Sequence, residues 1–242
     1  MGEGKIKLYN EVAYILGIIV VSIGVNLMVR SDCGLTIISA LSFVLSKKFT
    51  ALTFGVWTYL AQGLILLIMI MIVRTIRWRY FLAFGVSVVY GYCVDLVDFL
   101  MREVSVPVIW LQPVYFFVGF SCLTMGAVLM MKSALPTMVP ELFLQETLKK
   151  YKVSLRVLKT GFDLLCLALS AALSFVFFNG LVGIGLGTLL SVFVMGSYMQ
   201  ILGRGIDRIF ILEPGKISSW WLHVIHGETV ENNEEKHVVL QE

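Results

Sequence analysis

The sequence predicts an all-α, polytopic transmembrane fold: six spans forming two inverted three-span repeats, each repeat carrying a short broken segment. Three observations lead there. Charged residues make up 14% of the 242 positions and hydrophobic residues 58%, with a mean hydropathy of +0.88. Ordinary soluble domains carry about 25% charged residues, and a soluble domain of this length would still need a polar surface. Six apolar runs are long enough to cross a bilayer. The first and fourth of them match at a constant offset in their glycines, a hydroxyl, a cation and a serine.

A spanning helix needs about 20 mostly apolar residues, within a range of about 17–25. Runs of this kind occupy residues 12–29, 54–73, 80–100, 107–131, 157–178 and 181–202. The first lacks an A-x-A-like cleavage site and is long enough to span, so it reads as a span and not as a removed signal peptide. Segments 35–45 and 139–148 are too short to span alone and read as interfacial or re-entrant helices. With a cytoplasmic N-terminus, fifteen Lys and Arg residues lie inside, and Arg30, Lys47, Lys48 and Arg102 lie outside. That bias predicts both termini in the cytoplasm. The implied organisation is a cytoplasmic N-terminus (1–11), a first repeat (12–106), a second repeat (107–211) and a cytoplasmic tail (212–242). In the tail, Trp220 and Trp221 beside Leu222 and Ile225 form an interfacial anchor, followed by an acidic, loose end.

The repeat carries the functional argument. At a constant offset, Gly17 meets Gly119, Ser22 meets Thr124, Gly24 meets Gly126, Arg30 meets Lys132 and Ser31 meets Ser133. Shared greasiness does not align glycines, hydroxyls and a cation without a gap. The same offset sets Asp32-Cys33-Gly34 against Ala134-Leu135-Pro136, so the helix breakers Gly34 and Pro136 follow equivalent helices. The third and sixth runs match as well: Gly91, Asp95, Asp98 and Arg102 share a 4-3-4 spacing with Gly196, Gln200, Gly203 and Asp207. Three spans per half is an odd number, so the halves sit in opposite orientations. Inverted repeats with interrupted helices are a recurring transporter design, with exposed helix ends facing the solute. Duplication with small residues that merely permit close packing is the plainer reading.

The segment Gly180 to Gln200, "GLVGIGLGTLLSVFVMGSYMQ", has a G-x-G-T turn entering a span that closes on a polar position. With the break "RSDCGLTIISALSF", it resembles the YczE/YyaS/YitT group of bacterial integral membrane proteins, across most of residues 16–207. The sequence departs from that group at the first break, which lacks the group's proline and the Trp often found there; the second break has Pro136. The resemblance implies a bacterial inner-membrane protein of a kind described as a transporter, and bears on architecture more than on function.

Ionisable residues inside spans cost about 2.5–3.5 kcal/mol on insertion scales and are functional candidates by default. Asp95 leads, because Ser87, Gly91, Asp95 and Asp98 share one small, polar helix face suited to a cavity or to a neighbouring helix; capping, or pairing with Arg30 or Arg102, is the alternative. Asp163 lies one helical turn from Lys159, which makes a local ion pair the competing reading. Glu141 follows Pro140 in the first turn of a short helix, where the helix dipole favours a carboxylate. Asn26, Gln62 and Gln200 could hydrogen-bond between helices or line a pathway, and Arg30 and Lys132 read as interfacial anchors.

No HExxH, GxSxG or phosphate-cradling loop occurs. Asp95 and Asp163 fall toward opposite faces, so an aspartyl dyad is not expected. The four cysteines are widely spaced and read as small buried hydrophobes, and His223 and His226 are too few for a metal site. The sequence thus predicts no enzyme, no cofactor, no metal and no nucleic-acid partner. Its partners are the lipid bilayer, a small solute and a coupling proton or ion; a homo-oligomer is compatible with these features. Secondary transport through a midplane site is the leading expectation, with Gly34, Pro136, Asp95, Glu141, Asp163, Gln200 and Asn26 lining or gating it. A membrane-embedded regulatory or assembly partner is the alternative.

Overall fold

The computed structural model describes residues 6–104, 109–133, 135–151, 155–213, 215, 218 and 219. The described chain forms α1 (Asn10–Ser31), α2 (Ile37–Lys48), α3 (Phe54–Val73), α4 (Trp78–Leu100), α5 (Gln112–Lys132), α6 (Val139–Lys150), α7 (Leu155–Phe178) and α8 (Leu186–Ile209). A single turn at Ile109–Leu111 leads into α5, and two short strands, β1 (Ile6–Tyr9) and β2 (Phe210–Glu213), frame the helices.

All helices but α2 and α6 are long and apolar enough to cross a membrane. α2 and α6 have 12 residues each, about 18 Å of helix against about 30 Å of hydrocarbon. Large apolar side chains cover the outside of the bundle: Leu186 is 85% exposed, Phe193 81% and Val176 74%. In water so much apolar surface would be a liability; lipid tails accept it.

The span expected at 181–202 is corrected to Leu186–Ile209. Asn179 and Gly183 adopt left-handed backbone angles, φ 52° and 71°, which keep residues 179–185 out of the helix. At the other end the backbone ladder continues past the apolar run through Arg204 and Asp207, because hydropathy marks the lipid-facing length and not the end of the hydrogen bonds.

α1 and α5 pack backbone to backbone. A Cβ on Gly17 would lie 2.9 Å from the Gly126 carbonyl oxygen, and one on Gly126 would lie 2.6 Å from that of Gly17. Gly24 and Gly119 repeat the arrangement at 2.6 and 2.7 Å. The pairing order, 17 with 126 and 24 with 119, makes the two helices antiparallel. The Ser22 and Thr124 hydroxyls donate back to the Ile18 and Phe120 carbonyls at 2.8 and 2.7 Å, so the crossing buries no unpaired hydroxyl.

Polar ties sort the helix ends into two sets. At one end, Arg30 of α1 pairs with Asp98 of α4 at 3.0 Å, Asp95 of α4 meets the start of α3, and Lys48 of α2 lies 5.5 Å from the Phe177 ring of α7. At the other, Lys132 of α5 pairs with Asp207 of α8 at 2.6 Å, and Lys150 of α6 donates to the Ile72 and Val73 carbonyls at the end of α3, both at 2.9 Å.

The all-α expectation is corrected in one place. β1 and β2 form a parallel two-stranded ladder with Ile6 opposite Phe210 and Tyr9 opposite Glu213, reinforced by a Lys7–Glu213 ion pair at 2.6 Å. The pairing has no local signature, because each strand is only 4 residues long and its partner lies about two hundred positions away.

Gly24→Leu should lower the thermal stability of the detergent-solubilised protein by about 1–3 kcal/mol or more through overpacking. Gly85→Leu, at a glycine with open space around it, should leave stability near wild type. Equal stability for the two variants would mean that the α1–α5 crossing is not a tight contact.

Candidate functional site

Each of the two breaks lies against the start of a helix from the other half of the chain. At the first, Asp32 (φ 54°) and Gly34 (φ 120°) turn the chain out of α1. The Leu35 amide donates to the Gly183 carbonyl and to the Thr188 hydroxyl oxygen, both at 3.1 Å, and the Gly187 amide donates to the Cys33 carbonyl at 2.9 Å. A Cβ on Gly34 would lie 2.5 Å from Thr188 Oγ1. Gly34 is therefore needed both for its left-handed angle and for this approach, and the glycines before α8 serve close packing.

At the second break, Ser133 donates to the Met130 carbonyl at 2.7 Å, as Ser31 does to that of Met28 at 2.7 Å. The Tyr14 hydroxyl of α1 donates to the Pro136 carbonyl at 2.6 Å. Pro136 and Thr137, with Leu142 of α6 and with Arg79 and Ala83 from the first turns of α4, line a small cleft. Pro140 occupies the first turn of α6, followed by Glu141.

Glu141 is the outlier among the interior carboxylates. The residue is part-exposed through other atoms, yet its Oε2 is sealed from solvent and accepts no hydrogen bond. Burial pushes its carboxyl up; only its own backbone N–H and the Lys159 ammonium favour the charged form. Tyr14 of α1 and Tyr90 of α4 lie near enough for a charge on it to reach them.

The other expected residues have partners. Asp95 accepts from the Thr53 hydroxyl at 2.5 Å and from the Gly55 amide at 2.7 Å. It therefore caps the N-terminus of α3, where a negative charge suits the unpaired amides and the helix dipole. The polar face of α4 is filled by that neighbouring helix: Ser87 donates to Gln62 at 2.5 Å, and Gly91 sits against Gly55. Asn26, fully buried, donates to the Ser22 and Val94 carbonyls, both at 3.0 Å. Arg30 donates to Asn26 Oδ1 at 3.3 Å and to the Asp98 and Met101 carbonyls, both at 3.1 Å, closing the C-terminus of α4. Asp163 pairs with Lys159 at 3.3 Å. Gln200 is exposed on α8, away from these groups. Asp95, held at the start of α3, shares no partner with the other two, whereas Lys159 pairs with Asp163 and also favours the charged form of Glu141. Trp220, Trp221, His223 and His226 lie outside the described residues. Among the described residues no group of three or more His, Cys, Asp and Glu side chains is placed to hold a metal.

Glu146 is a residue that the sequence reading passed over. Its side chain is 5% exposed and pairs with Lys149 at 3.0 Å and Arg77 at 3.8 Å, and it accepts from the Tyr80 hydroxyl at 3.0 Å. Burial works to raise its carboxyl, but Lys149, Tyr80 and Arg77 together outweigh burial and hold it below its ordinary value. The signal was available: Val139, Leu142, Phe143, Glu146 and Thr147 form one buried helical stripe, which places Glu146 inward.

These features define a polytopic α-helical membrane protein with two interrupted segments. The chain belongs to a family of unknown function, DUF6198, whose family model matches residues 8–204. No curated protein and no solved structure matches the chain.

A carboxylate held below its unfolded value stabilises above the unfolded range, about pH 4.3, and the stabilisation is lost as pH falls. Glu146→Gln should cost about 1.5–3 kcal/mol at neutral pH and remove that part of the acid-side loss. Thermal midpoints across pH test it; equal neutral stability would mean that the Glu146 cluster contributes nothing.

Proposed function

We propose that the protein is a secondary transporter of a small solute, built from two inverted three-span halves with a site between them near the bilayer midplane. The carrying observation is the reciprocal docking of the two breaks: residues 33–35 strap onto the start of α8, and Pro136 and Thr137 sit beside the first turns of α4. Interrupted helices facing one another across a pseudo-dyad are a transporter device.

Several contacts support the inversion. Gly17 aligns in sequence with Gly119, and Gly24 with Gly126, while the touching pairs are 17–126 and 24–119. A two-fold axis exchanging α1 and α5 would carry one contact onto the other, as in an isologous interface. The end of α2 meets the end of α7, and the end of α6 meets the end of α3; these too exchange under such an axis. The cations ending α1 and α5 each pair with a carboxylate near the end of α4 or α8. The likeness to the YczE/YyaS/YitT group agrees with a bacterial inner-membrane transporter. In this reading both termini are cytoplasmic, and α2 and α6 are re-entrant or interfacial. Asp95 is a gating residue that ties α3 to α4 at one mouth. The alternative, a non-transporting membrane-embedded partner, draws on the pairing of Asp95 and Asp163.

Inversion places Lys48 and Lys150, the last residues of α2 and α6, on opposite sides of the membrane. In a cysteine-free background, Lys48→Cys and Lys150→Cys should react with an impermeant maleimide from opposite sides of oriented vesicles. Labelling from one side would sink the inverted architecture.

Proteoliposomes should take up at least one member of a broad panel of amino acids, sugars, nucleosides and organic ions faster than protein-free vesicles. Asp95→Asn should change that rate several-fold with the fold intact. No uptake for any solute would leave the partner reading.

A further inference from the structure

We propose that Glu141 is a proton-binding site that controls the second break: protonated here, it leaves the Tyr14 hydroxyl on Pro136, and its deprotonation draws that hydroxyl onto the carboxylate.

The groups around it make the case. A charged carboxylate away from water needs donors, and Oε2 has none. From α1, Tyr14 is the near phenol, and its proton is committed to the Pro136 carbonyl at 2.6 Å. From α4, Tyr90 is the second phenol that feels the charge, and Arg79 lines the adjoining cleft. From α7, Lys159 is already paired with Asp163 at 3.3 Å. α3 presents α6 with the apolar Ile65, Leu66 and Met69. On α6 itself, Glu146 is engaged by Tyr80, Lys149 and Arg77. Among the described residues no cation pairs with Glu141 Oε2, and a proton neutralises it at the smallest cost.

Release breaks the carboxyl O–H bond. The proton passes to water at the part-exposed side of Glu141, and the electron pair stays on the carboxylate. The charged oxygen is then a stronger acceptor than the Pro136 carbonyl. Turning the Tyr14 hydroxyl toward it removes the one side-chain bond holding that carbonyl to α1, so the chain between α5 and α6 loosens. The ligand is thus a proton and the responding element is the break. The site stands on the unpartnered Oε2 and the Tyr14–Pro136 bond; its use as a coupling ion rests on the transport reading.

In a background with Cys33, Cys93, Cys122 and Cys166 replaced by Ser, Thr137→Cys places a probe in the cleft. Its labelling rate with an impermeant maleimide is measured across the neutral pH range, with and without Glu141→Gln. The Glu141 protein should gain about tenfold more labelling on going to alkaline pH than the Glu141→Gln protein, the size of one exchanged charge-assisted hydrogen bond; the Gln variant corrects for titration of the thiol itself. Tyr14→Phe should label fast at every pH. Superimposable pH profiles with and without Glu141→Gln would overturn the proton site, and slow labelling of Tyr14→Phe would overturn the link to the break. If Glu141→Gln does not fold, the wild-type thermal midpoint decides. A carboxyl raised by burial stabilises below its unfolded value, and that stability is lost as pH rises through the raised one. A midpoint that does not fall with rising pH overturns the proposal. Neither measurement requires a solute, so failure here is separate from failure of transport.

Discussion

Where α1 crosses α5, two backbones touch because four residues have no Cβ. Inside lipid the hydrophobic effect does not hold helices together; close packing and buried hydrogen bonds do. This crossing supplies close packing along several turns, and α1 then acts as a post for the rest. Asn26 reaches from it to the backbone of α4, Arg30 closes the end of α4, and Tyr14 reaches the second break. α5 does the same for the other half: Phe116 fills the space beside Gly187, and Phe120 stacks on Tyr198 of α8 at 5.7 Å.

Interior charge follows a consistent rule with one exception. Arg30 meets Asp98, Asp163 meets Lys159, and Glu146 meets Lys149 and Arg77. Asp95 is held by a hydroxyl and an amide at the start of α3. Such pairing keeps charge tolerable at low dielectric without making it a strong source of stability. Glu141 Oε2 departs from the rule, at the break where the chain has two prolines and a cleft. An uncompensated oxygen at an interrupted helix is a place where a fold gives up stability, and such places are where function is sought.

The spans were legible in the sequence because lipid imposes length and apolarity on a helix directly, and five of the six runs lie almost wholly within the observed helices. The break positions were legible because Gly34 and Pro136 act on the backbone locally. Asp95 was legible as a residue of interest but not in its partner: its own helix gives its face, whereas Thr53 and Gly55 come from a neighbouring one. Gln200 was placed with the site on spacing alone, and spacing does not reveal that α8 turns that position outward. Glu146 was overlooked because α6 was read as a short interfacial or re-entrant helix without regard to its faces, although its buried stripe runs through that residue. The β1–β2 ladder had no local signature at all.

That ladder has a mechanical consequence. It clasps the residues just before α1 to those just after α8, so the first and last helices share a hinge pin at one face of the bundle. α8 has 24 residues and extends about 36 Å from that pin. Its far tip is where Thr188 and the glycines grip the first break. A slight tilt at the pin becomes a large sweep at the tip, and the grip on Leu35 and Cys33 is where such leverage would be felt first.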